Sequence, residues 1–369
     1  MKIDANSVTF EPQDMAFVKK FGILKATEMA LDYHAEHPNL PFLYDAEQLA
    51  GFLGISRGEL NDIVNHIQKE YKETRLPKKD GTYRSLCVPS IRLRFCQDPI
   101  KEKILPQLPV SKFATAYQKG STTRGNAEPH IGKKFLLKLD ITDFFGSITF
   151  EQVQRTAFNT RYVSRQVGYL LTSLCCKDDS LPQGAATSPA LSNIVMYRFD
   201  DYIGRWCSQR QIAYTRYCDD MTFSANRPLY GVYQKVKTML REMGFELNES
   251  KTHFIGNDNR QSVTGLVVNE KLSIPSGYKR DLRQEVYYAL KFGVEDSVLH
   301  GHRSDFVEDG RPICCPTYML HLMGKVQYVL QIEPENLWFK DAQKKLLAYI
   351  YEHYSESLSY YLHFNKNGK

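Results

Sequence analysis

An α+β fold is predicted for this 369-residue chain by two features. Short apolar runs of strand length are mixed with helical periods, without the regular βαβ alternation of a doubly wound sheet. Neither the glycine-rich dinucleotide fingerprint nor a P-loop occurs. Hydrophobic residues make up 42%, which argues against global disorder. The length is long for one compact domain and short for three. The net charge of +6 is only a weak vote for a polyanionic partner. Tyr (23) and Phe (20) are plentiful and serve either a core or base stacking. No apolar run reaches the roughly 18 residues of a membrane span. The start, MKIDANSVTF, lacks a basic region followed by an apolar stretch, so no secretory signal is expected. The eight cysteines form no C-x-x-C and no zinc spacing. They read as free thiols in a reducing cytoplasm, most of them in the core.

In chain order, residues 1–70 read as helical. Leu49, Phe52 and Leu53 form one apolar patch, and Leu60, Ile63, Val64 and Ile67 continue a helical period. Ser56 is placed to cap the second segment, with Glu59 completing a capping box. Residues 75–94 then carry six basic residues and one acid. Asp80-Gly81 signals a hairpin and residues 82–88 alternate as a strand. On charge alone this is as well a solvated edge hairpin as an anion grip.

Residues 135–141 (FLLKLDI) read as a buried strand with Asp140 at its carboxyl end. Thr187-Ser188-Pro189 opens a helix with a hydroxyl cap and an early proline. Its apolar side is Leu191, Ile194, Val195, Tyr202 and Trp206. Residues 212–223 read as two short strands around Asp219-Asp220. Val232, Val236, Met239, Leu240 and Met243 mark a helix stopped by Gly244. A strand pair is expected at 263–268 and 271–274, and helix dominates from Ser276 onward.

The sharpest chemical signal is Tyr217-Cys218-Asp219-Asp220. Adjacent carboxylates between apolar strands are costly unless a positive group sits there. The competing reading is a polar hairpin turn, although the Gly or Asn usual in such turns is absent. If the two strands pair, Asp140 and Asp219 converge, and converging carboxylates suit hard cations such as Mg²⁺. Two such ions can clamp an in-line phosphoryl displacement. Leu181-Pro182-Gln183-Gly184 lies between them in sequence. Gly184 allows close backbone approach and Gln183 offers amide donors, though a plain loop-to-helix junction explains the same residues.

The ordered set LKLDITDFFGSI, LPQGAATSPALSN and YCDD resembles the palm motifs of reverse transcriptases. KKDGTYRSLCVPS resembles their fingers motif and LNESKTHF their later lysine-bearing motif. Asn126-Ala127-Glu128-Pro129-His130 fits the NAxxH pattern of retron reverse transcriptases, and Val263-Thr264-Gly265 fits their VTG triplet. The resemblance covers most of the chain and weakens after about residue 330. One departure is Cys218, where many relatives carry Ala.

The resemblance implies a right-hand polymerase with fingers, palm and thumb. Its expected division is 1–74 N-terminal helical region, 75–134 fingers, 135–262 palm, and 263–369 RNA-binding segment and thumb. It implies that Asp140, Asp219 and Asp220, with the Ile141 carbonyl, hold two Mg²⁺ ions, Mn²⁺ being an alternative. Asp220 is the least secure, because neighbouring strand residues face opposite ways. Phe145 matches the residue that excludes a 2′-hydroxyl, with Phe144 expected in the core. Lys78 and Arg84 match the residues that grip the triphosphate of a dNTP, beside Gln183 and Gly184. Lys251 matches the lysine that protonates departing pyrophosphate, against the plainer reading of a solvated surface lysine. Asn126, His130, Val263, Thr264 and Gly265 are implied to serve RNA binding. A lone histidine such as His130 is more often a satisfied structural one, and 263–265 would otherwise read as strand core with a bulge. Tyr278, Lys279, Arg280 and Arg283 would track a duplex backbone, or form a solvated helix face.

Such an enzyme copies a structured noncoding RNA into single-stranded DNA. It primes from the 2′-hydroxyl of an internal guanosine, giving a branched RNA–DNA (msDNA). Members resemble antiphage defence units with an effector protein. The partners implied are thus the cognate RNA, its DNA product, dNTPs and an effector, with no membrane. The rival readings are a mobile-intron or diversity-generating reverse transcriptase, and an RNA-binding scaffold that restrains a toxin.

Overall fold

In the computed structural model, residues 2–4, 7–77, 81, 83–159, 163–300, 304–308, 311–312 and 315–367 are described. Lys78 and most of the Asp80-Gly81 turn lie outside them. The chain packs as two compact units. One comprises residues 1–122 and 134–254, the other 123–133 and 255–369. No helix among the described residues is long and apolar enough to cross a membrane.

The first unit centres on a sheet with strand order Ala213–Tyr217, Asp220–Ala225, Phe135–Asp140, His253–Gly256. The two inner strands run antiparallel, with Leu137 opposite Phe223, Leu139 opposite Met221 and Asp140 opposite Asp220. Those four apolar side chains are buried, each contributing on the order of 1.5–3 kcal/mol of transfer free energy. The helices Phe150–Ala157, Arg165–Cys175 and Ser188–Ser208 supply the rest of that core.

Several local expectations need correction. The chain does not begin as helix: Lys2–Asp4 and Ser7–Thr9 form a small antiparallel pair. Ser56 accepts the Glu59 amide as a cap, but the Glu59 carboxylate is drawn to Arg92, 3.4 Å away, and no capping box forms. Thr187 makes no side-chain cap, because its backbone is already helical and its hydroxyl points into the core. The adjacent Ser188 hydroxyl donates to the Pro182 carbonyl at 2.8 Å, tying the helix to the loop before it.

The hairpin Tyr71–Pro77 with Tyr83–Pro89 pairs in register from Tyr71 opposite Pro89 to Pro77 opposite Tyr83. Beyond Tyr71 its first strand is exposed, whereas Leu86, Cys87 and Pro89 of the second are half-buried.

In the second unit, the strands Ser262–Val263 and Leu266–Val267 are joined by Thr264 and Gly265 alone. Both have positive φ, +46° and +82°, the signature of a two-residue hairpin turn. The expected pairing with 271–274 shrinks to one bridge, Val267 with Ser273. The helices Ser276–Phe292, Cys315–Ile332 and Leu337–Asn367 bury Leu282, Val286, Met319, Leu322, Val326 and Phe339 between them.

Candidate active site

The carboxyl end of the strand Phe135–Asp140 and the turn between the two neighbouring strands open onto one cleft of about 960 Å³ in the first unit. Its wall includes Asp140, Asp219, Asp220, Phe145, Gln183, Gly184, Arg84 and Lys251. The nucleotide-site residues expected from sequence, apart from Lys78, thus line a single cavity.

Tyr217 and Asp220 are opposed across the turn, so Cys218 and Asp219 form it. The sequence reading set a polar turn against a site, and the segment is a turn whose carboxylates line the cleft. Cys218 takes a left-handed φ of +62°, a conformation that non-glycine residues hold only when their surroundings enforce it. The Asp219 carbonyl accepts the Ile141 amide at 3.2 Å, linking the turn to the strand that carries Asp140. The Asp140 carbonyl in turn accepts the Asn248 amide at 2.8 Å.

Asp140 is nearly buried, and its Oδ2 accepts from Lys251 Nζ at 2.9 Å. That bond raises the Lys251 pKa above its ordinary value and keeps the ammonium charged. Asp220 has its pKa raised by desolvation in the cleft, then by the like charges of Asp219 and Asp140. Among the described residues, neither Asp219 nor Asp220 is ion-paired, and no hydrogen bond uses the Ile141 carbonyl. Unneutralised oxygen donors of this kind suit a hard divalent cation. No trio of His, Cys, Asp or Glu among the described residues is already gathered at metal-binding spacing.

Phe144 is buried, with its ring 6.0 Å from Phe245, while Phe145 is half-buried on the cleft wall. Gly184 has φ +121°, and a Cβ there would stand 2.8 Å from the Cys87 carbonyl. The Gln183 carbonyl accepts the Cys87 amide at 2.6 Å. The basic hairpin is therefore stitched to the loop at the cleft floor, and Arg84, three residues before Cys87, reaches the cleft rim, exposed.

The other expected site residues lie in the second unit. Asn126, His130 and Val263 are fully buried, and a side chain without exposed surface cannot itself touch RNA. Burial, aided by the Lys133 charge, pushes the His130 pKa down to about 3, so the imidazole is neutral. Asn126 Nδ2 donates to Thr264 Oγ1 at 3.3 Å, and Thr264 Oγ1 donates to the Thr123 carbonyl at 3.2 Å. The two short sequence patterns thus form one joint, which leaves Gly265 exposed at the tip. Lys279 is held by Glu333 at 2.7 Å. Tyr278 packs edge-on to Tyr328. Arg280 is exposed, and Arg283 lies over Trp338 and Phe339.

Sequence reasoning missed a group behind the turn. Arg216 and Asp200 are both fully buried and paired at 2.6 Å. A signal existed: Asp200 shares a helix face with Met196, Ile203 and Cys207, and a carboxylate in that stripe requires a buried cation. Tyr117, half-exposed with φ +60°, donates its hydroxyl to Cys218 Sγ at 3.1 Å and was also missed.

A sheet whose carboxylates line a large open cleft, with cations on its rim, has the parts that a nucleotidyl-transferring polymerase needs. Residues 76–268 match the family model described as reverse transcriptase (RNA-dependent DNA polymerase). The Retron Ec86 reverse transcriptase of Escherichia coli is 28% identical over 72% of this chain and 84% of its own length. The Retron Mx65 reverse transcriptase of Myxococcus xanthus is 31% identical over 80% of this chain and 70% of its own. Among solved structures, a telomerase from Candida albicans in complex with a fragment of telomeric RNA has a TM-score of 0.44. Its identity is 12%, covering 82% of this chain and 67% of that one. The chain belongs to the reverse transcriptases, and within them to the retron type. It is an RNA-directed DNA polymerase of the right-hand α+β fold.

Proposed function

We propose that this enzyme copies part of a cognate structured noncoding RNA into single-stranded DNA. Synthesis starts from an internal guanosine 2′-hydroxyl and yields a branched RNA–DNA, and the product and polymerase together restrain an effector protein in an antiphage system. The observation that carries the chemistry is the convergence of Asp140, Asp219 and Asp220 on one cleft that also receives Arg84, Gln183 and Phe145. The likeness to retron enzymes supports the choice of template and primer.

Asp140, Asp219, Asp220 and the Ile141 carbonyl would hold divalent cations, proposed as two Mg²⁺ ions. Bound there, they would lower the pKa of the attacking hydroxyl and offset charge on the triphosphate. Arg84 forks onto phosphate oxygens, and Lys78, six residues earlier in the sequence, is proposed to share that grip. Phe145 presents a ring where a 2′-hydroxyl of the incoming nucleotide would sit. Lys251, held protonated by Asp140, supplies a proton to the leaving pyrophosphate. The division proposed is an N-terminal helical region (1–74), fingers (75–134), palm (135–262) and RNA-binding segment with thumb (263–369), although residues 123–133 and 255–262 pack in the unit of the last segment. Contact with the cognate RNA is assigned to Gly265, Arg280 and Arg283, whereas Asn126, His130 and Val263 shape the joint beneath it.

The test is to express the protein with its native flanking DNA, purify it, and treat the bound nucleic acid with RNase, DNase and a 2′,5′-debranching enzyme. A discrete short DNA that shifts on debranching and is lost in Asp219→Ala is the expected result. Linear DNA indifferent to debranching would indicate another priming mode. Bound RNA with no DNA, despite abundant dNTPs, would indicate a scaffold.

A further inference from the structure

The catalytic turn is held from behind by a side chain that never reaches the cleft. Arg216 is fully buried at the end of the strand Ala213–Tyr217. Its Nε donates to both Asp200 oxygens, at 2.9 and 3.1 Å, and its Nη2 to Asp200 Oδ2 at 2.6 Å. Nη2 also reaches Asn193 Oδ1 at 3.1 Å. The remaining nitrogen, Nη1, donates to the Cys218 carbonyl at 2.8 Å. Asp200 is further satisfied by the Tyr214 hydroxyl at 2.7 Å, and Asn193 anchors on the Ala116 carbonyl at 2.8 Å. The Arg216 backbone bonds to Phe113 and Thr115.

Two physical points give this arrangement a meaning beyond packing. First, a buried ion pair is a poor source of stability, since apolar residues of like volume are often as good or better. A planar guanidinium fork is instead a device for fixing several acceptors in one geometry. Second, the acceptor at its free end is the carbonyl just before Asp219, while the carbonyl of Asp219 itself is taken by the Ile141 amide. Both peptides flanking Asp219 are thereby pinned, one from behind the sheet and one from the strand of Asp140. Apart from these bonds, the left-handed Cys218 is held by the Tyr117 hydroxyl on its sulfur, and catalytic groups tolerate only about 0.5 Å of error.

We propose that Arg216 and Asp200 are positioning residues that set the placement of Asp219 relative to Asp140, and so the geometry in which the carboxylates close on the reacting phosphate.

The test compares Arg216→Lys and Asp200→Asn with an apolar replacement, Arg216→Met, Asp200→Leu and Tyr214→Phe combined, which leaves no charge or hydroxyl stranded. The readouts are melting temperature, affinity for a primed RNA template, and kcat and KM for dNTP. Two more are the divalent-cation concentration for half activation, and hydrogen exchange of the Ile141 amide without added cation. In the apolar variant, melting temperature is expected within a few degrees of wild type and template affinity within twofold. The same variant should lose at least a hundredfold in kcat, need severalfold more cation, and exchange the Ile141 amide faster. Arg216→Lys should fall in the same direction, because a single ammonium cannot serve both Asp200 and the carbonyl. Wild-type kcat, cation midpoint and Ile141 protection in the apolar variant would overturn the proposal. If that variant does not fold, the single substitutions decide. Activity lost only in proportion to the folded fraction, with an unmoved cation midpoint, would equally overturn it.

Discussion

His130 shows how a single residue couples burial to pH. It titrates near 6.5 in an unfolded chain and at about 3 in the folded one. The folded state therefore binds fewer protons between those values, and stability present above pH 6.5 is lost as pH falls through the window. The slope approaches 1.4 kcal/mol per pH unit. Denaturant midpoints measured from pH 7.5 to 4.5 should fall more steeply for the wild type than for His130→Gln; equal slopes would show that the ring becomes charged without cost. Lys251 makes a second case. Its ammonium is tied to Asp140, so Lys251→Gln should cost roughly 10²-fold in kcat. Primed-template affinity should change little, and Lys251→Arg should restore part of the rate.

Elements carry what single residues cannot. The basic hairpin has few buried residues of its own, and the Cys87–Gln183 bond helps hold it over the cleft. Gly184→Ala would push a methyl into the Cys87 carbonyl and impose a left-handed φ on a residue with a side chain. KM for dNTP is expected to rise about tenfold while melting temperature shifts by only a few degrees. A variant with unchanged KM would show that the hairpin is held elsewhere. This is also the scale at which the sequence was most legible. Asp140 at a strand end, the paired carboxylates at 219–220 and the amphipathic helix Tyr230–Glu242 were each visible in local pattern. The Thr264-Gly265 turn was not, because a β-branched residue at positive φ contradicts its own propensity and is stabilised by bonds from Asn126 and to Thr123. The Arg216–Asp200 pair was legible only in half: the helix face of Asp200 calls for a buried cation, but its partner lies on a separate element and no local pattern names it.

At the scale of the whole molecule, the net charge of +6 is modest, so attraction for a polyanion rests on local exposed cations such as Arg280 and Arg283. Affinity for a structured RNA should fall with salt with a log–log slope of several units. Arg280→Ala and Arg283→Ala together should reduce that slope by about 1–2, and a slope unaltered by their removal would place the phosphate contacts elsewhere. The division into two units had no local signature at all. Residues 123–133 belong with 255–369, although the whole palm sequence intervenes. That interleaving has a consequence during synthesis on the ribosome. Asn126 emerges 138 residues before the Thr264 it will bind. At about 5–20 residues per second, this segment waits roughly 7–28 s for its partner. During that delay a histidine and an amide destined for burial face water, while the sheet is made and is completed when His253–Gly256 emerges, eight residues ahead of Thr264. The enzyme can thus assemble its chemistry before it closes the joint that carries its retron-type sequence patterns.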